Sequence, residues 1–438
     1  MSTLASRVRS SALFWPVPPA LVLVPAALVL VTTLAATWDR LGWHALDWVY
    51  LSSQVGAQAR IPVVVSAGTA ALVAARFTRT NLVFAQPWQP RVERDLPLRH
   101  TTVVVAWCLG AYLAGMLPLT FAVATAGAGF PDLVAVPGAL AGFVALTLWG
   151  YLCGVLARGL LGVPVAVGTV FLLTSLPLVM DAWAALSLQL PFAPSLGVRE
   201  SAALGAYRLG FFLLLVVALW LTAVRLLRAP RRFSAVHGTA VAAVAVAVLL
   251  PHLHPFPLVV RAPGGAEVCR EHGGVRYCVH EGHARELDTI TDLSAPVFAA
   301  YGLAEAAPVE VRDQSLARDD EEVLDGPRRG VLWLSVYPGW NPYQEVPVAA
   351  AEWLTPDFHR CGSEGVADLG RDADPRERRA AVVLGLEAWL ASQAYGGGEH
   401  GDGLFSGADP DEVRAWIHSD HERLAACAVE PEELPWRT

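Results

Sequence analysis

Apolar runs long enough to cross a lipid bilayer recur through residues 1–252 of this 438-residue chain and do not occur after them. A helix needs about 20 apolar residues to span a bilayer core of roughly 30 Å, since each residue adds about 1.5 Å. Composition agrees, because 54% of the residues are hydrophobic and 16% are charged. We predict an α-helical polytopic membrane domain over 1–252 with about seven spans, at residues 16–37, 60–77, 102–126, 135–157, 160–180, 206–227 and 235–252.

Arginine residues crowd alternate connections between these runs, which predicts the orientation of the chain. Loops rich in basic residues stay in the cytoplasm. Three such segments carry Arg7, Arg9, Arg76, Arg79, Arg91, Arg94, Arg99, Arg225, Arg228, Arg231 and Arg232. The connections on the other side carry only Arg40, Arg60, Arg199 and Arg208. Seven spans then give a multi-pass cell-membrane protein with a cytoplasmic N-terminus and with residues 253–438 outside the cytoplasm.

Residues 253–438 form the second predicted domain, an extracytoplasmic α+β domain. It is acidic, because residues 1–252 carry a formal charge of +9 (16 Arg, 7 acids) and residues 253–438 carry −17 (16 Arg, 33 acids). Strand-like segments are "PLVVRA", "VRYCVH", "PVEVRD" and "GVLWLSVYP". Helical patterns cover about 284–302, 347–356, 375–395 and 409–427. Asp409 before Pro410 is a strong N-terminal signal for the last helix.

All 32 basic residues are arginine, and the chain contains no lysine. The chain therefore lacks the phosphate-binding lysine of nucleotide-binding loops, the Schiff-base lysine of pyridoxal enzymes and the kinase lysine. We expect no enzyme activity, no cofactor and no nucleic-acid partner, so any ATP hydrolysis must come from another polypeptide. The spans also hold few ionisable residues, which argues against a proton- or sodium-coupled carrier.

The stretch "VCREHGGVRYCVHEGH" predicts a disulfide-linked hairpin. A two-residue turn at Gly273–Gly274 pairs Cys269 with Cys278 and Glu271 with Arg276. The two cysteines then occupy a non-hydrogen-bonded pair, with Cα atoms close enough for a disulfide. Outside the cytoplasm such thiols oxidise.

A zinc site is the alternative interpretation of the same stretch, with His280 and His283 joining the two cysteines as ligands. Their spacing matches no common zinc motif, and "HEGH" is one residue short of "HExxH". The other two cysteines of this domain, Cys361 and Cys427, are the candidate pair for a second disulfide. The sequence does not establish that these two are close together.

The segment "RFTRTNLVFAQPWQPRVERDLPLRH" is the most distinctive connection between spans. It combines aromatic with basic residues, a mixture that suits docking on a protein partner or lying along the membrane surface. A basic loop that only fixes the topology is an equally good interpretation. The contact residues for a partner would be Phe84, Trp88, Arg91 and Arg94.

The early pair of spans joined by this loop, about six spans with few intramembrane charges and no nucleotide-binding motif resemble permease subunits of ATP-binding cassette exporters of the second type. The plan is also similar to actinobacterial permease-like proteins whose extracytoplasmic C-terminal domain begins near a "CVH" segment, here Cys278 to His280. A seventh span and a large outer domain depart from the usual six-span plan. The resemblance implies a homo- or heterodimeric pore in membrane lipid that contacts a separate ATPase and exports a substrate.

Two further functions compete with transport. One is a membrane-anchored sensor or assembly protein whose acidic outer domain binds a ligand or a partner. The other is a membrane-anchored metal-dependent hydrolase, for which "HEGH" and "EHGDG" are the only motifs and which lacks a complete ligand set.

Overall fold

The chain divides into two compact units, Met1–Val260 and Arg261–Thr438, in its computed structural model. They are named here the N-terminal and C-terminal units. Residues 254–260, the Pro-rich segment after the last apolar run, belong to the first. The structure describes residues 17–77, 92–157, 160–228, 235–262, 265–302, 308–318, 330–355, 374–396 and 403–437.

The N-terminal unit is built from apolar helices. They are Ala20–Trp38 (α1), Trp48–Ala57 (α2), Arg60–Phe77 (α3), Val92–Ala126 (α4), Ala135–Ala157 (α5), Gly162–Ser175 (α6), Ala202–Arg228 (α7) and Ala235–Leu253 (α8). Among the described residues, five stretches are long and apolar enough to cross a membrane: Ala20–Gly42, Trp48–Phe77, Asp95–Thr125, Ala135–Ala157 and Ala202–Leu227. Two predicted spans correspond to shorter apolar helices, Gly162–Leu178 and Gly238–Leu253.

Two helices begin earlier than the hydropathy pattern predicts. The second span starts at Trp48 rather than at residue 60, because the Asp47 carboxylate caps α2 by accepting from the Tyr50 amide at 2.7 Å. A short break at Gln58–Ala59 separates α2 from α3. The third span belongs to α4, whose helix starts at Val92, ten residues before the predicted span, and includes the polar residues of that segment.

Small residues let the helices of the N-terminal unit approach closely. A Cβ atom on Gly142 would lie 2.2 Å from the Leu188 side chain. One on Gly150 would lie 2.2 Å from the Ala67 carbonyl oxygen. The backbone contact at Gly150 requires glycine, because the packing leaves no room there for any side chain.

Three connections, 39–47, 127–134 and 181–201, lie at one end of this unit. The Trp48 amide, directly after the first connection, donates to the Ala128 carbonyl in the second at 3.0 Å. Alternate connections of an up-and-down bundle must meet at one end, so these contacts fit helices that run in alternating directions.

The connection 181–201 also contacts residues 258–261, where the chain passes from the N-terminal unit to the C-terminal unit. Leu188 packs on Gly56 of α2 so tightly that a Cβ on Gly56 would lie 2.0 Å from the Leu188 carbonyl oxygen. The Ser201 amide donates to the Leu258 carbonyl at 3.2 Å. Val198–Glu200 (β1) and Val259–Arg261 (β2) form a two-stranded sheet. Residue 258 therefore lies at the same end as the three connections.

The opposite end holds a buried aromatic group. His100 of α4 places Nδ1 3.1 Å from the Tyr151 hydroxyl of α5. The ring of Phe77, the last residue of α3, lies with its centroid 5.8 Å from that of His100. The helices that flank residues 78–91 are therefore joined to each other and to α5 at this end.

The C-terminal unit combines a four-stranded sheet with helices. The strands are Glu267–His272 (β3), Val275–His280 (β4), Glu310–Asp313 (β5) and Val331–Leu334 (β6). Their order is β3-β4-β5-β6, with β3 antiparallel to β4 and the other pairs parallel. The helices are Leu287–Tyr301 (α9), Pro342–Leu354 (α10), Pro375–Ser392 (α11) and Pro410–Ala425 (α12).

Most predicted elements of this unit are present where the sequence placed them. "VRYCVH" forms β4, "PVEVRD" ends in β5, and "GVLWLSVYP" opens with β6. Asp409 caps α12 by accepting from the Asp411 amide at 3.2 Å. The helix predicted at 347–356 starts earlier, because Asn341 occupies its N-cap and Pro342 its first turn.

Candidate functional site

The hairpin of the C-terminal unit has the predicted register. Gly273 and Gly274 both have positive φ, 59° and 84°, which favours glycine at both turn positions. Cys269 lies opposite Cys278, with Cα atoms 4.2 Å apart, and the two form a disulfide bond. The prediction of this link is therefore confirmed.

Arg276, predicted to pair with Glu271 beside the disulfide, has a different acidic partner. Glu271 faces Arg276 in the register, yet the Arg276 guanidinium contacts Glu267 at 3.0 Å. Glu267 also contacts Arg312 of β5 at 3.2 Å. A carboxylate at position 267 lies between two arginines from adjacent strands, whereas position 271 is near the turn and reaches only one.

The zinc interpretation needs two cysteine thiolates as ligands, but the disulfide joins these two cysteines. Within the described part of the chain, Glu267, Cys269 and Cys278 are the group close enough to hold a metal, but both thiols are bonded to each other. "HEGH" leads into a 3₁₀ helix, Glu281–Glu286, rather than an α-helix with two histidines on one face.

Cys427, predicted to form a second disulfide, is disulfide-bonded. Its predicted partner, Cys361, lies outside the described residues. Cys108 and Cys153 in the N-terminal unit are free thiols and are buried, as expected for cysteines that serve as small apolar residues.

His283 and Asp313 form a buried pair that the sequence did not predict. The His283 Nδ1 lies 2.5 Å from the Asp313 Oδ2, and both side chains are fully buried. Asp313 is the last residue of the parallel strand β5, which lies beside β4, so the sheet brings together residues 30 positions apart. Asp313 also accepts from the amides of Ser315 at 2.9 Å and His280 at 3.3 Å.

Contacts around the buried pair lower the pKa of the Asp313 carboxyl group. Burial alone would raise the pKa of Asp313, but the hydrogen bond and charge of His283, with the bonds from Ser315, lower it below its usual value. The other ring nitrogen of His283, Nε2, is buried and has no hydrogen-bond partner among the described residues. The His280 ring lies nearby, with its centroid 6.1 Å from that of His283, and its Nδ1 accepts from the Gly282 amide at 3.0 Å.

The predicted coupling residues lie mostly outside the described part of the chain. Phe84, Trp88 and Arg91 fall in the segment 78–91 and have no described position. Arg94 lies in the first turn of α4. The last nine residues of the predicted loop, 92–100, are therefore helical and continuous with the third span.

A buried ion pair lies where the sequence indicated only a connection. Arg208, predicted to belong to the connection before the sixth span, lies inside α7 and is 5% exposed. Its guanidinium donates to both carboxylate oxygens of Glu200, at 2.9 and 2.8 Å, and to the Ser187 carbonyl at 2.8 Å. These contacts join Ser187, strand β1 and helix α7. They lie at the end of the unit where the connections 39–47, 127–134 and 181–201 are found.

Polar side chains also occupy the break between α2 and α3. The Arg40 guanidinium contacts the side-chain amides of Gln54 and Gln58. Arg60, predicted to lie at the start of a span, lies inside the apolar stretch Trp48–Phe77. The prediction that the spans hold few ionisable groups is therefore incomplete. Arg60 lies in α3 and Arg208 lies in α7.

Comparison with known proteins identifies no relative, because no family model, curated protein or solved structure matches this chain. Functional inference rests on the residues themselves.

Proposed function

We propose that the chain is a membrane transport protein, a permease-like subunit of an ATP-binding cassette exporter that works with a separate ATPase. The observation that carries the proposal is the form of α4. This helix has 35 residues, about 52 Å of length, whereas a bilayer core is roughly 30 Å thick. Its first turns therefore extend beyond the apolar run and join the segment that holds Phe84 and Trp88.

The base of this extension is anchored in a way that suits force transmission. His100 contacts Phe77 of α3 and Tyr151 of α5, so both helices that flank residues 78–91 meet at one buried point. Movement of a partner bound to 78–91 would reach α3, α4 and α5 together. A rigid lever connected to packed helices is a common means of coupling a remote event to a membrane pathway.

The proposed orientation places the C-terminal unit outside the cytoplasm of a cell membrane. Leu258 lies at the end of the N-terminal unit that holds the connections 39–47, 127–134 and 181–201, all poor in arginine. Phe77 and the arginine-rich segment 78–91 belong to the opposite end. The positive-inside rule then assigns the second end to the cytoplasm.

Reporter fusions test this orientation. A phosphatase that folds only outside the cytoplasm is expected to be active when fused after Pro263, and inactive when fused after Arg79. A fluorescent protein that folds only inside should give the reverse pattern. Cytoplasmic activity at the Pro263 junction would contradict the seven-span topology.

The coupling role predicts a loss of partner on mutation of the loop. The double variant Phe84→Ala/Trp88→Ala is expected to lose at least about 90% of co-purifying ATPase, because buried aromatic anchors supply about 2 kcal/mol or more each at interfaces. Quantitative mass spectrometry of the affinity-purified full chain measures the ratio of ATPase to bait.

The matched control is Arg231→Ala/Arg232→Ala, which alters another loop assigned to the same side and should retain the partner. Membrane insertion of both variants is compared by resistance to alkaline extraction. Repeated purification from native membranes without any ATPase would overturn the transport proposal.

That result would favour the second candidate, a sensor or assembly protein whose C-terminal unit binds a ligand or partner. Glu387 on α11 is the observation that supports it. Burial, together with the charge of Glu352, raises the pKa of Glu387 to about 7. This unit therefore carries a carboxyl group that changes charge near neutral pH, as a sensor of its surroundings requires.

A further inference from the structure

A cavity of about 260 Å³ lies in the N-terminal unit where α1 faces the junction of α2 and α3. Most of its lining is apolar, and its polar groups come from one threonine, one glutamine and one arginine. The lining residues are Thr32, Ala36, Ala57, Gln58, Arg60, Ile61 and Pro62. A cavity with one cation in an apolar wall suits an anion that carries an apolar body.

The charge of Arg60 is not neutralised within the described part of the chain. No acidic side chain there pairs with it, and its guanidinium carbon lies 5.5 Å from the ring centroid of Phe171, on α6. A positive charge among apolar side chains is costly unless an anion or water compensates it. The half-exposed Arg60 side chain leaves room for such a partner.

The cavity lies toward one end of the N-terminal unit. Thr32 is six residues before the end of α1 at Trp38, about 9 Å along the helix axis, so the cavity is in the half of α1 that leads to the connection 39–47. Exposed apolar side chains flank the cavity on both sides, including Leu28 and Val31 on α1 and Ile61 on α3.

Nearby side chains reinforce attraction for an anion. Another arginine at this end, Arg40, contacts the side-chain amide of Gln58. The Gln58 amide links the cavity wall to that second cation and offers a neutral hydrogen-bonding group. Arginine binds phosphate in a bidentate manner, which sets it apart from a simple point charge.

We propose that this cavity binds the anionic, phosphate-bearing headgroup of a membrane lipid. Arg60 contacts the phosphate, Gln58 adds a polar contact, and the acyl chains lie along the exposed apolar faces of α1 and α3. The site is independent of the proposed ATPase coupling, since it lies at the opposite end of the unit from residues 78–91.

Native mass spectrometry of the detergent-solubilised full chain tests this site, with phosphatidylglycerol and phosphatidylcholine as probes. We expect a stoichiometric phosphatidylglycerol complex whose affinity falls about tenfold in Arg60→Gln, the loss typical of a hydrogen bond to a charged group. Arg60→Lys should lose less, because it keeps the charge. Arg199→Gln is the matched control, since it removes an exposed arginine at the same end and should bind as the unmodified chain does.

A second variant keeps the test valid if the loss of Arg60 disturbs folding. Ala36→Phe fills the cavity without altering charge and should also weaken phosphatidylglycerol binding. Equal affinities of Arg60→Gln and Arg199→Gln, or equal binding of both lipids, would overturn the proposal. Displacement of phosphatidylglycerol by millimolar inorganic phosphate would instead identify a site for the free anion and refute the lipid assignment.

Discussion

Replacing Glu200 with Leu is expected to destabilise the N-terminal unit by about 3–5 kcal/mol, the cost of leaving one member of a buried ion pair without its partner. The two carboxylate oxygens of Glu200 accept from Arg208, and both side chains are less than a tenth exposed. Without the carboxylate, the acceptor that remains to the guanidinium among the described residues is the Ser187 carbonyl. The free energy of unfolding in mixed micelles measures the effect.

The double variant Glu200→Leu/Arg208→Met separates charge from packing. Removing both charges avoids the unpaired guanidinium, so most of the lost stability should return. Arg199→Leu is the control, because Arg199 is exposed in β1 beside Glu200 and its loss should change stability by less than about 0.5 kcal/mol. A single variant as stable as the double variant would show that the pair is solvated and contributes little.

The hairpin of the C-terminal unit could be predicted in detail because its information is local. Gly273 and Gly274 set the turn, and the turn sets every cross-strand pair, including Cys269 with Cys278. A two-residue turn leaves one register for the strands that it joins. Local capping is equally readable, as Asp409 and its helix show.

The ends of the membrane helices could not be predicted so well, because hydropathy reports burial in lipid rather than helical structure. Val92 begins a helix whose first turns are polar, Trp48 begins one that contains Gln54, and Arg60 begins the helix that follows it. These polar side chains are accommodated by contacts inside the protein, such as that between Arg40 and Gln54. Such contacts are made with residues distant in sequence, so the local hydropathy of a segment does not reveal them.

The buried pairs were missed for the same reason. His283 and Asp313 meet only because β4 and β5 are parallel neighbours, which the sequence does not specify. The sequence suggested a role for His283 only in the alternative zinc interpretation, because histidine and cysteine were close along the chain. A single signal was present: Asp313 is the last residue of the predicted strand segment "PVEVRD", at the end where side chains of a parallel sheet converge.

Asp313→Ala is expected to reduce the stability of the C-terminal unit by about 3–5 kcal/mol. Three groups would lose their acceptor, and the fully buried Nδ1 of His283 would face an apolar cavity. Hydrogen–deuterium exchange of the full chain measures the loss as reduced protection of amides in β4 and β5. Asp288→Ala is the matched control, because Asp288 forms an exposed pair with Arg270 and should cost less than about 1 kcal/mol.

The pH dependence distinguishes an ionised Asp313 from a neutral one. The pKa of Asp313 is lowered in the folded state, so its carboxylate contributes stability above the unfolded value of about 3.9, and this contribution is lost as pH falls through the lowered folded pKa. The difference in protection between the unmodified chain and Asp313→Asn should therefore be constant from pH 7 to pH 5 and shrink below about pH 4. A difference that grows as the solution is acidified would mean that the carboxyl group is protonated in the fold, and that His283 binds it as a neutral partner.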